Sequence, residues 1–403
     1  MTLALIVLRS LRQHALSTAV TALSVALAAG LLMSVWVAQQ QSRATFINSG
    51  GGFDAVLGAR GSKLQLVLNA VFHLEASPGN LAWSDYLEIR RNPAVELAVP
   101  LALGDNYRGY RLAGTTLELF QRTEYAAGRH YTVHPGGRLF NPDYREAVAG
   151  SFVAARLHLK PGDKFHPFHG LIYDEKNQHA ETYVVVGVLE PSNTPADRVI
   201  WIPLEGVQKM AGHNPEAATD VSAVLVKLRG GSAGAGFMLD TFYNKEGNRL
   251  TFAWPIGQVV AELFDKIGWF DAVLQLVAYL VALVAAGSVL ASIYNSMNER
   301  RREIAILRAL GARRRTIFGA IVLESASISA LGVWVGFIVY AAILNSAATV
   351  IRHQTGVVLN PFALSPVMLW TPVGMIALGA LAGVVPAAKA YRTEVADHLI
   401  PIS

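Results

Sequence analysis

Cysteine is absent from the 403 residues, which excludes disulfides, thiolate metal sites and a cysteine nucleophile. Charge is scarce as well. Asp, Glu, Lys and Arg make up 16% of the chain against 52% hydrophobic residues, whereas an ordinary soluble domain carries charge at roughly 25% of its positions. A purely soluble globular protein is excluded on that ground. No G-x-x-x-x-G-K-[ST] phosphate loop occurs; the glycine-rich stretch 230–236 lacks the lysine and reads as a flexible connection. No serine sits in a nucleophile elbow. No basic stripe interleaved with aromatics accompanies the net charge of +5, so nucleic acid is not expected as a partner, and anionic lipid is.

What the chain does have is long apolar runs. Residues 15–38, 272–296, 317–349 and 366–388 are each long enough for a hydrocarbon core of about 30 Å, which takes about 20 helical residues. Arg9, Arg12 and His14 precede the first run, which is too long for a signal-peptide core and reads as a retained transmembrane helix. Between the first two runs, residues 39–271 regain charges and turn residues. Strands are expected near 53–57, 109–113, 183–189, 198–202 and 221–228, and helices near 64–74, 83–91, 152–159, 204–211 and 237–243, with Ser84 and Ser151 as N-caps. The expected fold is an α-helical membrane protein with four transmembrane helices and a large α+β extracytoplasmic domain between the first and second. From Pro255 a helix is expected to run straight into the second span.

The segment 297–316 joins the second and third spans with seven arginines and two glutamates. Such an asymmetry places a short loop in the cytoplasm. Residues 1–14 and 389–403 fall on the same side, and an outer loop at 350–365 on the other. Within the loop Ile304, Leu307 and Leu310 recur on one side, Arg301, Arg302 and Arg308 lie mostly elsewhere, and Gly311 follows as a C-cap, the pattern of a short amphipathic helix. Composition alone leaves two readings open: a charge cluster that only sets orientation, or a helix that a partner grips. Glu324 stands alone in the third run, where a charge needs a partner; a linker arginine such as Arg313 is the expected one. Gly379 and Gly383 form a small-xxx-small pair, serving contacts within the chain or between two copies.

The run Glu303-Ile304-Ala305-Ile306-Leu307-Arg308-Ala309-Leu310-Gly311-Ala312, with basic residues, Ile317 and Glu324 following, resembles the signature of FtsX/MacB-type ABC transporter permeases, the family that includes the lipoprotein-releasing Lol permeases. The resemblance implies that this segment is a coupling helix, with Glu299, Arg300, Arg301, Arg302, Glu303, Ile304, Leu307, Arg308, Gly311 and Arg313 engaging a cytoplasmic ABC ATPase dimer. It also implies a small insert at about 128–191 of the ectodomain and a family-like C-terminus. The expected function is the permease subunit of an ABC transporter in the inner membrane, exporting or extracting a lipoprotein, peptide or hydrophobic small molecule. ATP and magnesium belong to the partner. A second permease copy or a related permease completes the membrane part, with a periplasmic adaptor or outer-membrane protein as a further partner. The alternative is a non-transporting signalling component that controls a cell-wall hydrolase or sensor.

Six of the eleven histidines (His130, His134, His158, His166, His169 and His179) lie in the expected insert. None has the helical spacing with a carboxylate that marks a hydrolytic zinc site. Clustered imidazoles can bind a transition metal or haem, and His166-Pro167-Phe168-His169 brings two close; ordinary loop histidines are the other reading, and no metal ligand is assigned.

Overall fold

The computed structural model describes residues 3–211, 219–247, 249–309, 311–355 and 358–392. The chain divides into two units, one of Met1–Gln41, Gly268–Val350 and Asn360–Ser403, the other of Ser42–Ile267 and Ile351–Leu359.

Four helices are long and apolar enough to cross a membrane: Ala15–Asn48, Ile256–Glu299, Arg314–Thr355 and Val367–Arg392. The first three of these have residues in both units. Pro372 and Pro386 lie inside the last helix without ending it; membrane helices tolerate proline because neighbouring groups satisfy the freed carbonyls. A shorter helix, Leu3–Gln13, precedes the first span.

Small residues set how closely the spans approach. Ala22, Val25, Ala28, Ala29 and Met33 of the first span are buried with Ile328 and Val333 of the third. A Cβ on Gly332 would stand 2.6 Å from Val25 Cβ, and one on Gly30 would stand 2.6 Å from Val339 Cγ1. With lipid as apolar as leucine, such close packing is what holds membrane helices together.

The second unit is built on a mixed sheet. Its strands are β1 (Ala55–Ala59), β2 (Val95–Tyr107), β3 (Tyr110–Thr115), β4 (Glu124–Ala126), β5 (Arg129–His130), β6 (Glu146–Ala149), β7 (Lys164–Phe165), β8 (Phe168–His169), β9 (Tyr183–Val188), β10 (Ile200–Pro203), β11 (Ala223–Leu228) and β12 (Leu250–Ala253). Ten strands join in the order β12-β1-β11-β2-β3-β10-β6-β9-β7, with β8 paired to β2; β4 and β5 pair separately. Among the described residues, all ladders are antiparallel except β10 with β3 and β6 with β9.

Two hydrophobic clusters cover opposite faces of this sheet. One contains Leu57, Tyr86, Ala98, Ala102 and Ile202, the other Val56, Phe72, Val99, Leu101 and Trp201. Alternate residues of one strand enter alternate clusters, as the two-residue period of a strand requires.

Within residues 128–191, β6, β7 and β9 pair with one another and reach the rest of the sheet through β10, and β8 pairs with β2. The structure corrects several expectations. Ser84 and Ser151 are not N-caps, because each lies inside its helix, Trp83–Arg91 or Ser151–Leu157, with Ala82 and Gly150 at the caps. Asp85 takes over the capping role and accepts from the Ala82 amide at 3.1 Å. The glycine-rich stretch is not a free connection but a turn and a helix start, Ala233–Thr241, capped by Ser232. Gly236 is obligatory there, since a Cβ would overlap the Trp254 indole.

Candidate functional site

The basic segment between the second and third spans folds as the helix Arg301–Ala309. Gly311 follows at φ 97°, and its amide donates to the Arg308 carbonyl at 3.0 Å. A left-handed residue at this place ends a helix, and glycine takes that conformation without a Cβ penalty. Leu310, and the side chains of Arg301 and Leu307, lie outside the described residues, as does the C-terminal stretch 393–403.

The helix presents two faces. Ile304 packs against the buried cluster of the spans, and Ala305 is itself buried. Arg308 is half-buried, one turn on from Ile304, so it lies on the inner side and not with the outer arginines as its charge implied. The outer face carries Arg302, Glu303, Ala309 and Ile306, the last 45% exposed. Glu299, the last residue of the Ile256–Glu299 helix, and Arg313, just before the next helix, are exposed, and His14 Nδ1 lies 3.5 Å from Glu299 Oε2.

Arg300 anchors the segment. Its Nε donates to Glu303 at 3.3 Å, and its Nη1 donates to Ser10 Oγ at 2.5 Å and to Glu324 Oε2 at 3.5 Å. Ser10 donates in turn to Glu324 Oε1. Glu324 is therefore paired with a linker arginine, as expected, and that arginine is Arg300 and not Arg313. Ten residues into the Arg314–Thr355 helix it sits about 15 Å beyond the helix start, farther forward along the axis than an arginine side chain at position 313 reaches. Ser10 had no sequence signal of its own: it is one hydroxyl on a short helix, 314 residues away from its carboxylate partner.

Gly379 and Gly383 pack within the chain. A Cβ on Gly379 would overlap Ser329 of the third span, and one on Gly383 would overlap Ser325, so the pair serves intrachain helix packing.

In the sheet domain, three side chains from distant parts of the sequence converge: Asp105, His169 and His179. Their ligand atoms lie within 4.8 Å of one another. Asp105 and His169 are directly opposite across the β2–β8 ladder. Asn106 Nδ2 donates to the Gly170 carbonyl at 2.9 Å, and the His179 amide donates to the Pro167 carbonyl at 2.9 Å, fixing the 168–179 segment on β2. Asp105 is re-aimed by a register shift between Leu103 and Asp105. Before it, Leu97, Val99, Leu101 and Leu103 join one cluster; after it, Tyr107 packs on the other. An extra residue in a strand swaps its faces in this way.

Charges surround the group. Burial pushes the Arg111 pKa down to about 10, against the pull of the Asp105 and Glu75 carboxylates. Burial also opposes the charge on Glu181, but the Ala211 amide and Arg145 hold its carboxyl below the usual range.

Four membrane-spanning helices, a large α+β domain between the first two and a basic helix between the second and third define a membrane permease subunit with an ectodomain. The FtsX-like permease C-terminal family matches residues 276–395, and the MacB-like periplasmic core domain family matches residues 15–237. The chain belongs to the FtsX/MacB-type permease family, whose FtsX-like part is a transmembrane subunit and not itself an ATPase, and it is a multi-pass inner-membrane protein.

Among curated relatives, the macrolide export ATP-binding/permease protein MacB of Brucella melitensis is 25% identical over 96% of this chain and 58% of its own length. The protein of the same name from Brucella abortus is 27% identical over 52% of this chain and 32% of its own. The chain thus spans about half or less of the relatives it matches. Among solved structures, the periplasmic region of MacB from Actinobacillus actinomycetemcomitans overlays with a TM-score of 0.35 at 12% identity, over 54% of this chain and 94% of that one. The extracellular domain of the noncanonic ABC-type transporter YknZ from Gram-positive bacteria overlays at 0.30 with 17% identity, over 49% and 99%.

Proposed function

We propose that this chain is the permease subunit of an ABC transporter whose ATP is hydrolysed on a separate polypeptide. The observation that carries the reading is the Arg301–Ala309 helix, held by Ile304 and by the Arg300–Ser10–Glu324 contact on one side and presenting Arg302, Glu303 and Ile306 on the other. A helix anchored on one face and bare on the opposite one is built to receive a partner. In this reading the N-terminus, the C-terminus and the basic helix are cytoplasmic, and two ATPase subunits grip two copies of the chain. Their closure moves the basic helices, and the long helix Ile256–Glu299 carries the motion to the sheet domain. That domain then works on a lipoprotein, a peptide or a hydrophobic small molecule by changing shape. Export by the MacB relatives supports a transport role over a signalling one.

Affinity purification of the full chain in mild detergent tests the reading. An ATP-binding subunit is expected to come with it, and its ATPase rate is expected to change on association. Recovery of the chain without a nucleotide-binding companion from its native membrane would overturn the proposal.

A further inference from the structure

The geometry points to a site for a divalent transition-metal ion, with zinc as the reference ion, formed by Asp105, His169 and His179 on the sheet domain. The argument starts from hydrogen atoms. His179 Nδ1 lies 2.8 Å from the Ala211 carbonyl oxygen, which can only accept, so Nδ1 carries a hydrogen. In a neutral imidazole the lone pair is then on Nε2. That atom faces Asp105 Oδ1 at 3.2 Å, which also offers only lone pairs when ionised. Two acceptors at this separation require a cation between them.

A proton on Nε2 serves one edge of the group, and the group has more than one. His169 Nδ1 lies 3.3 Å from the same Asp105 Oδ1, and its ring stands edge-on to that of His179 with centroids 5.5 Å apart. A metal ion serves all three side chains at once and leaves both imidazoles neutral. Tetrahedral zinc with bonds of about 2.0–2.1 Å has ligand–ligand edges of about 3.3 Å, and the two edges through Asp105 Oδ1 are 3.2 and 3.3 Å.

The surroundings are those of a ligand set. A metal-binding histidine ordinarily donates its other ring N–H to a carbonyl or carboxylate, which fixes tautomer and orientation. Here His179 donates to the Ala211 carbonyl, and the Ala211 amide donates to Glu181 Oε1 at 2.9 Å. The Asp105 and His179 side chains are 0% and 5% exposed, while that of His169 is 56% exposed, so the ion would sit at the surface end of a buried pair. Three protein ligands leave a fourth position for water or an external group. Two neutral imidazoles and one carboxylate suit zinc and its neighbours better than calcium or magnesium.

The test uses the full chain in detergent. Zinc is titrated in competition with a chromogenic chelator, and cobalt is added separately to read coordination from its visible absorption. One ion per chain with a tetrahedral cobalt spectrum is expected. His169→Ala should weaken zinc binding by more than about tenfold, the least seen when even an outer partner of a ligand is lost. Asp105→Asn should do the same, and His134→Ala should bind as the parent does. Because His169 is exposed, its variant keeps the fold, checked by circular dichroism, and its zinc affinity decides the matter even where Asp105→Asn misfolds. Absence of stoichiometric binding in the parent chain, or equal affinity in His169→Ala, would show a plain imidazolium–carboxylate cluster and overturn the site.

Discussion

Glu324 is 8% exposed within a membrane-spanning helix, where Ser10 and Arg300 meet its carboxyl group. Removing one partner of a buried pair costs more than the pair contributes, since the other charge is left behind. Glu324→Gln is therefore expected to destabilise the detergent-solubilised chain by about 1.5–3 kcal/mol, the range for hydrogen bonds to charged groups. Combined with Arg300→Ala, the two losses should fall short of their sum by at least about 0.5 kcal/mol. Thermal unfolding of the two single variants and the double variant checks this, and strictly additive losses would show that the pair has no energy of its own. The sequence made the need for a partner legible, because a single acid in an uncharged run is conspicuous. It did not reveal which arginine, since that depends on depth along two helices and not on proximity in the chain. The Asp105–His169–His179 group was less legible still: the aspartate is 74 residues from His179, and no local spacing marks it.

Among the elements, the transmembrane helices were plain in the sequence because absence of charge over about 20 or more residues has few other meanings. The central strand β2 was not. Its burial is nearly continuous along Val95–Tyr107, so the alternation that betrays a half-exposed strand is missing, and Pro100 argues against a central position. The basic helix was legible in its existence and its stop at Gly311, but only packing could assign Arg308 to the inner side. Its outer face carries a prediction. Ile306→Asp leaves the inner contacts untouched and should cost the fold no more than about 0.5 kcal/mol. It should nonetheless lower the affinity of the ATPase subunit at least tenfold, about 1.4 kcal/mol, as read by retention on the purified chain. Unchanged retention would move the docking surface away from this helix.

For the whole molecule the decisive quantity is sidedness. A chain that lacks cysteine allows single introduced thiols to report position without background. Lys160 in the sheet domain and Arg315 after the basic helix are both exposed. An impermeant maleimide should label Lys160→Cys in intact spheroplasts and Arg315→Cys only after lysis. Labelling of both from one side would invert the assignment of the basic helix to the cytoplasm and remove the ATPase from its reach. Gly379 and Gly383 bear on assembly too: they are committed to Ser329 and Ser325 of the same chain, so this pair does not serve a contact with another copy.

Gly104 is a spare link in β2. Leu103 lies opposite Ala113 and Asp105 opposite Leu112, neighbours on the adjoining strand, so the glycine between them has no counterpart of its own. Shortening the chain at Gly104 would keep both of those partners, and with them the side of the sheet on which the acid emerges. The same loss at Val99, five residues earlier, would slide the preceding stretch by one step and turn the buried Leu97 over to the wrong face.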